Sequence, residues 1–232
     1  MFNLRRLSKD KIIWLDSHRC KCGHTFLEHP NCLDKEKINL NELKEKIGII
    51  DIETDDLNAD YGIIFSYYIK TLGKNEYLTD HITEADFKKY SYKGNGVAKE
   101  DTRVVKQLME DMKKYDRLVG HYSSGFDIPF IRTRATICGL KFYDYGEIFT
   151  SDTWRILKDK FKLSRNSLEN GTQKLLGKTR KNHLSSNMKH AIIRGEKWAM
   201  DYCLDHNKKD VDDTDDLFKV IRNSKRETKT SI

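Results

Sequence analysis

The sequence contains few prolines, which interrupt helices and strands, and few cysteines, which can form disulfide bonds. Only two of its 232 residues are proline, at positions 30 and 129, and only five are cysteine. An odd number of cysteines argues against a disulfide framework, because such frameworks use thiols in pairs. No run approaches the ~18 consecutive apolar residues that a membrane-spanning helix requires. These absences argue against a disulfide-stapled secreted domain and against a membrane-embedded protein.

The first residues, MFNLRRLSKDK, also lack the apolar stretch and small-residue cleavage site of a secretion signal. We therefore expect a cytoplasmic protein with no membrane partner. In a reducing compartment, clustered cysteines indicate metal binding before they indicate disulfides.

Charge is abundant but nearly balanced. Lys and Arg number 43 and Asp and Glu 36, which gives a net charge of +7, and 34% of the residues are charged. Because 10% of the residues are aromatic, the composition is not that of a disordered chain, which is rich in charge and poor in aromatic residues. The positive excess is compatible with a polyanionic partner such as nucleic acid but does not identify one.

The hydrophobic pattern predicts a mixed α/β fold rather than a doubly wound parallel sheet. Three β-branched or aromatic runs joined by short polar turns favour an antiparallel meander, and later strands alternate with helices. Asp101 is the predicted N-cap of the first of these helices. Strands are predicted at 47–52, 61–70, 75–82, 117–121 and 148–152, and helices at 101–115, 127–140, 153–163, 167–176 and 196–222.

The same pattern suggests three parts along the chain. Residues 1–46 are interpreted as a zinc-binding N-terminal module followed by a short helical connector. Residues 47–222 form the predicted α/β domain, and residues 223–232 are interpreted as a flexible basic tail.

Two carboxylates lie at the end of the first predicted strand, in the string IIDIETD. Asp51 and Glu53 are two residues apart, so both side chains point to the same face of the strand. Two carboxylates on one buried face repel each other and are costly to desolvate, and a divalent cation removes both problems. Mg²⁺ and Mn²⁺ prefer such oxygen ligands. For this string alone, the alternative is a solvated acidic turn.

Two further acids occur in patterned surroundings. Asp127 stands between Phe126 and Ile128 at the start of a predicted helix, where the alternative to a site residue is a first-turn acid that interacts with the helix dipole. Asp210 lies one helical turn after His206 and on the same face, so that a carboxylate and an imidazole can act together on a water. Many acids surround Asp210, and a polar helix face is the alternative there.

Taken in order, the strings IIDIETD, GHYSSGFDIPFIRTR and HNKKDV resemble the three exonuclease motifs of the DEDD superfamily of 3′–5′ exonucleases, which share the ribonuclease H-like fold. The resemblance extends over residues 47–222 and is nearest to the exonuclease domains of DNA polymerase B and phage origin. The segment SDTWRILKDKFKLSRNSLENGTQKLLG is similar to the same branch. The resemblance implies a mixed sheet flanked by helices and, for a phage-encoded chain, a place in the host cytoplasm.

The resemblance also implies a catalytic set. Asp51 and Glu53 match the first motif, Asp127 the second and Asp210 the third, which together imply a centre of two Mg²⁺ or Mn²⁺ ions. His206 stands at the spacing at which the tyrosine branch has its tyrosine, whereas the histidine branch uses a spacing of five residues. His206 is therefore the candidate to orient or deprotonate the attacking water, and the identity of the general base stays open.

Other residues of these strings are candidate substrate contacts. Tyr122 stands where many members have asparagine, and either Tyr122 or His121 could stack on a base, with loop packing as the alternative. Asp152, at the end of a predicted strand, is interpreted as structural. Candidate phosphate contacts, for each of which an ordinary solvated charge is the alternative, are Lys158, Lys160, Lys162, Arg165, Lys178 and Lys181.

The N-terminal string HRCKCGHTFLEHPNC offers six Cys and His residues for about four tetrahedral positions on zinc. So many soft ligands in one short segment favour a zinc site over a solvated loop with free thiols. Cys138 and Cys203 lie alone in helical patterns and are interpreted as core thiols. The predicted ligands of one structural Zn²⁺ are Cys20, Cys22, His29 and Cys32, with His24 or His18 as substitutes.

These features predict a metal-dependent 3′–5′ exonuclease that hydrolyses terminal phosphodiester bonds of DNA or RNA. Its expected partners are nucleic acid, a single-stranded 3′ end foremost, and a replication or repair protein. The alternative is a catalytically inactive nuclease fold that binds nucleic acid or assembles with a partner. An integrase-like enzyme also joins zinc to a ribonuclease H-like fold, but its zinc module places both histidines before both cysteines, whereas Cys20 and Cys22 come first here.

Overall fold

The computed structural model of the chain describes residues 9–39, 45–90, 98–180, 182–224 and Ile232. The chain divides into two units, Met1–Glu45 and Lys46–Ile232. Three predictions fall wholly or partly outside the described residues: the connector, the candidate phosphate contact Lys181 and the basic tail.

The first unit contains two short helices that the sequence patterns do not predict, α1 (Lys9–Ser17) and α2 (Asn31–Lys35). Between them, Arg19 and Thr25 pair in one antiparallel bridge. The small core of this unit consists of Leu15, Cys20, Phe26, Cys32 and Leu33. Because two of these residues belong to the predicted zinc site, the core and the site share side chains.

The second unit is built on a mixed five-stranded sheet. The strands are β1 (Ile47–Thr54), β2 (Ile64–Thr71), β3 (Tyr77–His81), β4 (Arg117–Gly120) and β5 (Phe149–Asp152). Their order in the sheet is β3-β2-β1-β4-β5. The first three strands form an antiparallel meander, whereas β4 is parallel to β1 and β5 is parallel to β4. The prediction of a mixed sheet with a meander is therefore confirmed.

Helices cover both faces of this sheet. The helices are α3 (Glu84–Tyr90), α4 (Thr102–Met112), α5 (Asp127–Ile137), α6 (Thr153–Lys160), α7 (Leu168–Leu176), α8 (Ser186–Ile193) and α9 (Lys197–Ile221), and a 3₁₀ turn (Arg222–Ser224) follows α9. Ile50 packs with residues of α4 and α5, whereas its neighbour Ile49 packs with residues of α6, α7 and α9. Since alternate strand residues point to opposite faces, β1 is buried on both sides, which explains its near-continuous β-branched run.

The predicted elements of this unit are all present, with ends that differ by no more than three residues. Helices α3 and α8 are not predicted from the sequence, because each is short and carries few regularly spaced apolar residues. No helix within the described ranges is long and apolar enough to cross a membrane.

Asp101 occupies the predicted N-cap position of α4, but its side chain does not cap the helix. Its carboxylate makes no bond to the first turn of α4. Instead it accepts hydrogen bonds from Nε and Nη2 of Arg134, at 2.9 and 2.6 Å, and from the backbone N–H of Ile64 at 2.9 Å. Both charged side chains are fully buried. An unpaired buried charge costs far more free energy than an uncapped helix end, so the carboxylate of Asp101 pairs with the guanidinium of Arg134.

Candidate functional site

The carboxyl ends of β1, β4 and β5 lie at one edge of the sheet because these three strands are parallel. Asp51 and Glu53 lie near this end of β1, His121 and Tyr122 follow β4, and Asp152 ends β5. The pairing of β1 with β2 is irregular at the residue after Glu53, and irregularities of this kind re-aim neighbouring side chains. Sheet topology thus brings together predicted residues that are far apart in sequence.

A cavity of about 260 Å³ at this edge collects three of the four predicted acids and both predicted substrate contacts. The acids come from two elements, β1 and the start of α5. The walls are formed by Asp51, Ile52, Glu53, Thr54, Leu57, His121, Tyr122, Phe126, Asp127 and Lys189.

The fourth acid, Asp210, approaches the other acids through His206. The imidazole Nε2 of His206 lies 3.3 Å from Oε1 of Glu53 and 4.0 Å from Oδ2 of Asp210. Its Nδ1 lies 2.7 Å from Oδ1 of Asn182. The carboxylates of Glu53 and Asp210, from the first and third motif-like strings, therefore both lie next to the imidazole of His206.

Asp127 carries a strongly perturbed carboxyl group. It is the first residue of α5, is buried, and accepts a hydrogen bond from the backbone N–H of Ile52 at 3.1 Å. Burial raises the pKa of this carboxyl to about 7, helped by the negative charges of Asp152 and Asp210 and opposed by the backbone N–H groups. A carboxylate that is costly to ionise in this way is stabilised by a bound cation.

The three acids that line the cavity, and Asp210 beside His206, offer carboxylate oxygens, which are the donors that a hard divalent cation prefers. Within the described residues, only the N-terminal Cys/His group has three or more ligand atoms within 4.8 Å of one another. Asp51, Glu53 and Asp127 therefore border the cavity, and no three of the four predicted acids have ligand atoms within 4.8 Å of one another. Carboxylates without a bound cation repel each other.

Five other acids of α9 have a different role, because each of them pairs with a lysine or an arginine. The pairs are Asp205 with Lys209 at 2.5 Å, Asp212 with Lys70 at 2.6 Å, Asp213 with Arg180 at 2.7 Å, Asp215 with Lys70 at 2.9 Å and Asp216 with Arg180 at 2.9 Å. Four of these acids therefore connect α9 to Lys70 and Arg180, whereas the pair of Asp205 lies within the helix.

Four residues at the site are not found by the sequence patterns. Asn207 is fully buried and donates from Nδ2 to Oδ2 of Asp51 at 2.9 Å. Lys189 lines the cavity and donates to the carbonyl oxygen of Thr54 at 2.6 Å. The other two are Asn182, which contacts His206, and the exposed Leu57. Of these four, only Asn207 could have been found from the sequence. It is a polar residue four positions from both Cys203 and Val211, on the buried face of α9.

Asp152 has the structural role that the sequence predicts. Its Oδ1 accepts the N–H groups of Trp154 and Tyr122 at 2.9 Å, which caps α6 and fixes the loop after β4. Nδ1 of His121 lies 2.9 Å from Oγ1 of Thr153 in the same helix turn.

The candidate phosphate contacts differ in their surroundings. Lys158 lies over the ring of Trp154 with Nζ 4.8 Å from the centroid, whereas Lys178 is 3.4 Å from Asp216. The others within the described ranges, Lys160, Lys162 and Arg165, are exposed.

The first unit holds the second candidate site. The thiols of Cys20, Cys22 and Cys32 and the imidazole of His29 place one ligand atom each within 4.8 Å of all the others. A positive φ of 85° at Gly23 lets the chain turn back directly after the first two cysteines. Three thiolates and one imidazole are a tetrahedral zinc donor set, so this group could hold Zn²⁺.

The close packing of these thiols changes the pKa values of two of them in opposite directions. Burial, with the neighbouring thiols, raises the pKa of Cys32 to about 11. The pKa of Cys20 is lowered, against burial, by the backbone N–H groups of Cys22 and His24. Of the two substitute ligands, His24 packs against His29 with the rings tilted by 32°, and His18 stacks on Trp14.

The two remaining cysteines lie outside both sites. Cys203 is fully buried in the core, as predicted, whereas Cys138 is only partly buried beside Thr102.

Comparison with known proteins finds similarity in structure but none in sequence. No protein-family model matches the sequence, and no curated protein matches it. Among solved structures, the chain is similar to the family B DNA polymerase from the hyperthermophilic archaeon Pyrobaculum calidifontis, with a TM-score of 0.56 and 16% sequence identity. The match covers 78% of this chain and 25% of the polymerase, so the chain spans about a quarter of that protein. At this identity the similarity establishes a shared fold.

Proposed function

We propose that the chain is a divalent-metal-dependent 3′–5′ exonuclease that hydrolyses the terminal phosphodiester bond of DNA or RNA. The observation that carries the proposal is the cavity bordered by Asp51, Glu53 and Asp127, with Asp210 adjacent through His206. The order of these acids along the chain is that of the superfamily which the sequence resembles. The fold shared with a family B DNA polymerase agrees with the branch of that superfamily to which the resemblance is nearest.

We assign this activity to residues 47–222 and a structural zinc site to the module at 1–46. The four acids would hold two Mg²⁺ or Mn²⁺ ions, which would supply an activated water and charge stabilisation for the leaving oxygen. In the reaction, water adds to the phosphorus of the terminal phosphodiester, and the bond from that phosphorus to the 3′ oxygen of the preceding nucleotide breaks. This oxygen takes up a proton to become the 3′ hydroxyl of the shortened strand, and the terminal nucleoside 5′-monophosphate is released.

The chain's own groups position the reactants. Nε2 of His206, next to Glu53 and Asp210, can accept the proton that the attacking water loses. Asn182 at Nδ1 holds the orientation of the ring. Lys189, fixed to the carbonyl of Thr54, presents a positive charge in the cavity wall for the phosphate of the substrate.

The direct test is digestion of 5′-labelled single-stranded DNA and RNA with Mn²⁺. We expect a ladder of products that shorten one nucleotide at a time from the 3′ end. Asp51→Asn should abolish the ladder, whereas Asp212→Asn, which alters an ion-paired acid on the other side of α9, should retain it. An absence of shortening with every metal and substrate, or equal activity of Asp51→Asn, contradicts the proposal.

A second candidate function is binding of nucleic acid without turnover. It is favoured by one observation, namely that histidine occupies the position at which the tyrosine branch of the superfamily has tyrosine. This alternative predicts that oligonucleotides bind but remain intact at every Mn²⁺ concentration.

A further inference from the structure

Tyr122, at the mouth of the acid cavity, has an unusual backbone conformation. Its φ is +63°, in the left-handed region that residues other than glycine seldom adopt. Asp152 maintains this conformation: Oδ1 accepts the N–H of Tyr122 at 2.9 Å, and Oδ2 accepts the N–H and hydroxyl of Ser124 at 3.1 and 2.5 Å. Backbone strain that a buried carboxylate holds in place is typical of functional sites.

The ring of Tyr122 is fixed but open to solvent. A Cβ atom at Gly125 would lie 2.5–2.9 Å from three ring atoms of Tyr122, so the ring rests directly on the glycine backbone. Trp154 packs against it with a centroid distance of 5.2 Å and an interplanar angle of 69°. The side chain is nonetheless 47% exposed. An aromatic ring that is already immobilised loses little entropy when a base stacks on it.

Two basic side chains of α6 lie beside the Trp154 ring that packs against Tyr122. Arg155 and Lys158 are exposed and three residues apart, which places them on one face of the helix beside Trp154. Nε of Arg155 donates to Oγ of Ser124 at 2.8 Å, and Nζ of Lys158 lies 4.8 Å from the Trp154 ring centroid. In contrast to Arg180, which is committed to two aspartates, these cations contact a hydroxyl group and an aromatic ring. Their charges therefore remain available for phosphates.

We propose that Tyr122, Trp154, Arg155 and Lys158 form a track for single-stranded nucleic acid that leads away from the acid cavity. A base next to the 3′ end stacks on Tyr122, and the following phosphates contact Arg155 and Lys158. A duplex does not fit this arrangement, because its bases are already stacked and cannot lie on the Tyr122 ring. The inference rests on the proposed function for the direction of the strand, but the binding itself can be measured without turnover.

The test uses the full chain with its zinc and without Mg²⁺ or Mn²⁺, so that no cleavage occurs. The probe is a fluorescein-labelled oligo(dT) of about 12 nucleotides, and binding is followed by fluorescence anisotropy and by quenching of tryptophan emission. We expect Tyr122→Leu to weaken binding about tenfold, since stacking of one base contributes roughly that much. Tyr122→Phe should bind like the wild type, and Trp154→Phe should lose most of the quenching.

The charge contribution is tested by the salt dependence of the same binding. Lys158→Ala should lower the slope of log affinity against log salt by about 0.7, the value for one phosphate contact to a single strand. Lys106→Ala is the matched control, because Lys106 is an exposed lysine of α4, on the opposite face of the sheet. Its slope should not change.

Three results overturn the inference: unchanged affinity of Tyr122→Leu together with an unchanged slope of Lys158→Ala, an equal loss in Lys106→Ala, or equally tight binding of a blunt duplex. Failure of the proposed function would be distinct, because it would leave this binding intact while no oligonucleotide is shortened.

Discussion

At the scale of single residues, Asn207 shows how a buried amide can tune a charged site. It is fully buried, and its Nδ2 donates to Asp51 at 2.9 Å. A hydrogen bond of this kind fixes the orientation of a metal-binding carboxylate, and its loss typically lowers metal affinity by about 10–100-fold.

We therefore predict that Asn207→Leu weakens Mn²⁺ binding at least tenfold, measured by titration calorimetry. Thr172→Val is the matched control, since Thr172 is a buried polar residue whose hydroxyl bonds only within α7. Equal Mn²⁺ affinities in the two variants would show that Asn207 contributes to packing alone.

The sequence points to the four candidate acids because each stands in a string that resembles a known motif, and three of them line the cavity. It could not predict Lys189 or Leu57, which reach the cavity from segments without any such string. Lys189 lies on α8, a helix that has no clear hydrophobic period, and Leu57 lies in the polar turn after β1. Such residues are brought to the site by tertiary packing, which local patterns do not encode.

At the scale of secondary-structure elements, one buried ion pair connects three of them. Asp101 precedes α4, Arg134 belongs to α5, and the carboxylate of Asp101 also accepts the first N–H group of β2, from Ile64. Removing one member leaves the other charge buried without its partner.

Asp101→Asn should therefore lower the free energy of unfolding by about 3–5 kcal/mol, measured by urea denaturation. The control is Lys141→Ala, which removes the exposed pair with Asp144 and should leave the midpoint unchanged. If both variants unfold at the wild-type urea concentration, the buried pair does not have the stabilising role that its geometry indicates.

The elements that could be predicted are those with a clear hydrophobic period or an unbroken β-branched run, such as β1 and α9. The role of Asp101 could not be predicted, because its position directly before a helix is also typical of a cap. Its partner Arg134 lies 33 residues later in the chain, and only the packing of α5 against α4 brings the two together.

At the scale of the whole molecule, the N-terminal unit depends on its cysteines. Among its described residues, the buried core contains five side chains, and Cys20 and Cys32 are two of them. Because a core of this size does not stabilise a fold alone, we infer that zinc held by the Cys/His group would supply folding free energy.

We predict that Cys22→Ser lowers the zinc content measured by atomic absorption. In hydrogen exchange, amides of residues 9–39 should lose protection, while those of residues 46–224 keep it. Cys138→Ser, which changes a thiol outside the cluster, should retain both zinc and protection. Unchanged zinc content in Cys22→Ser would exclude the predicted ligand set.

We propose that carboxylates from β1, α5 and α9 form one divalent-metal site. The most direct measurement is the number of Mn²⁺ ions bound per zinc-loaded chain, counted by electron paramagnetic resonance in the wild type and in Asp127→Asn. We predict about two ions in the wild type and loss of at least one in the variant. The absence of Mn²⁺ binding at millimolar concentration, or identical binding by both proteins, would contradict the account.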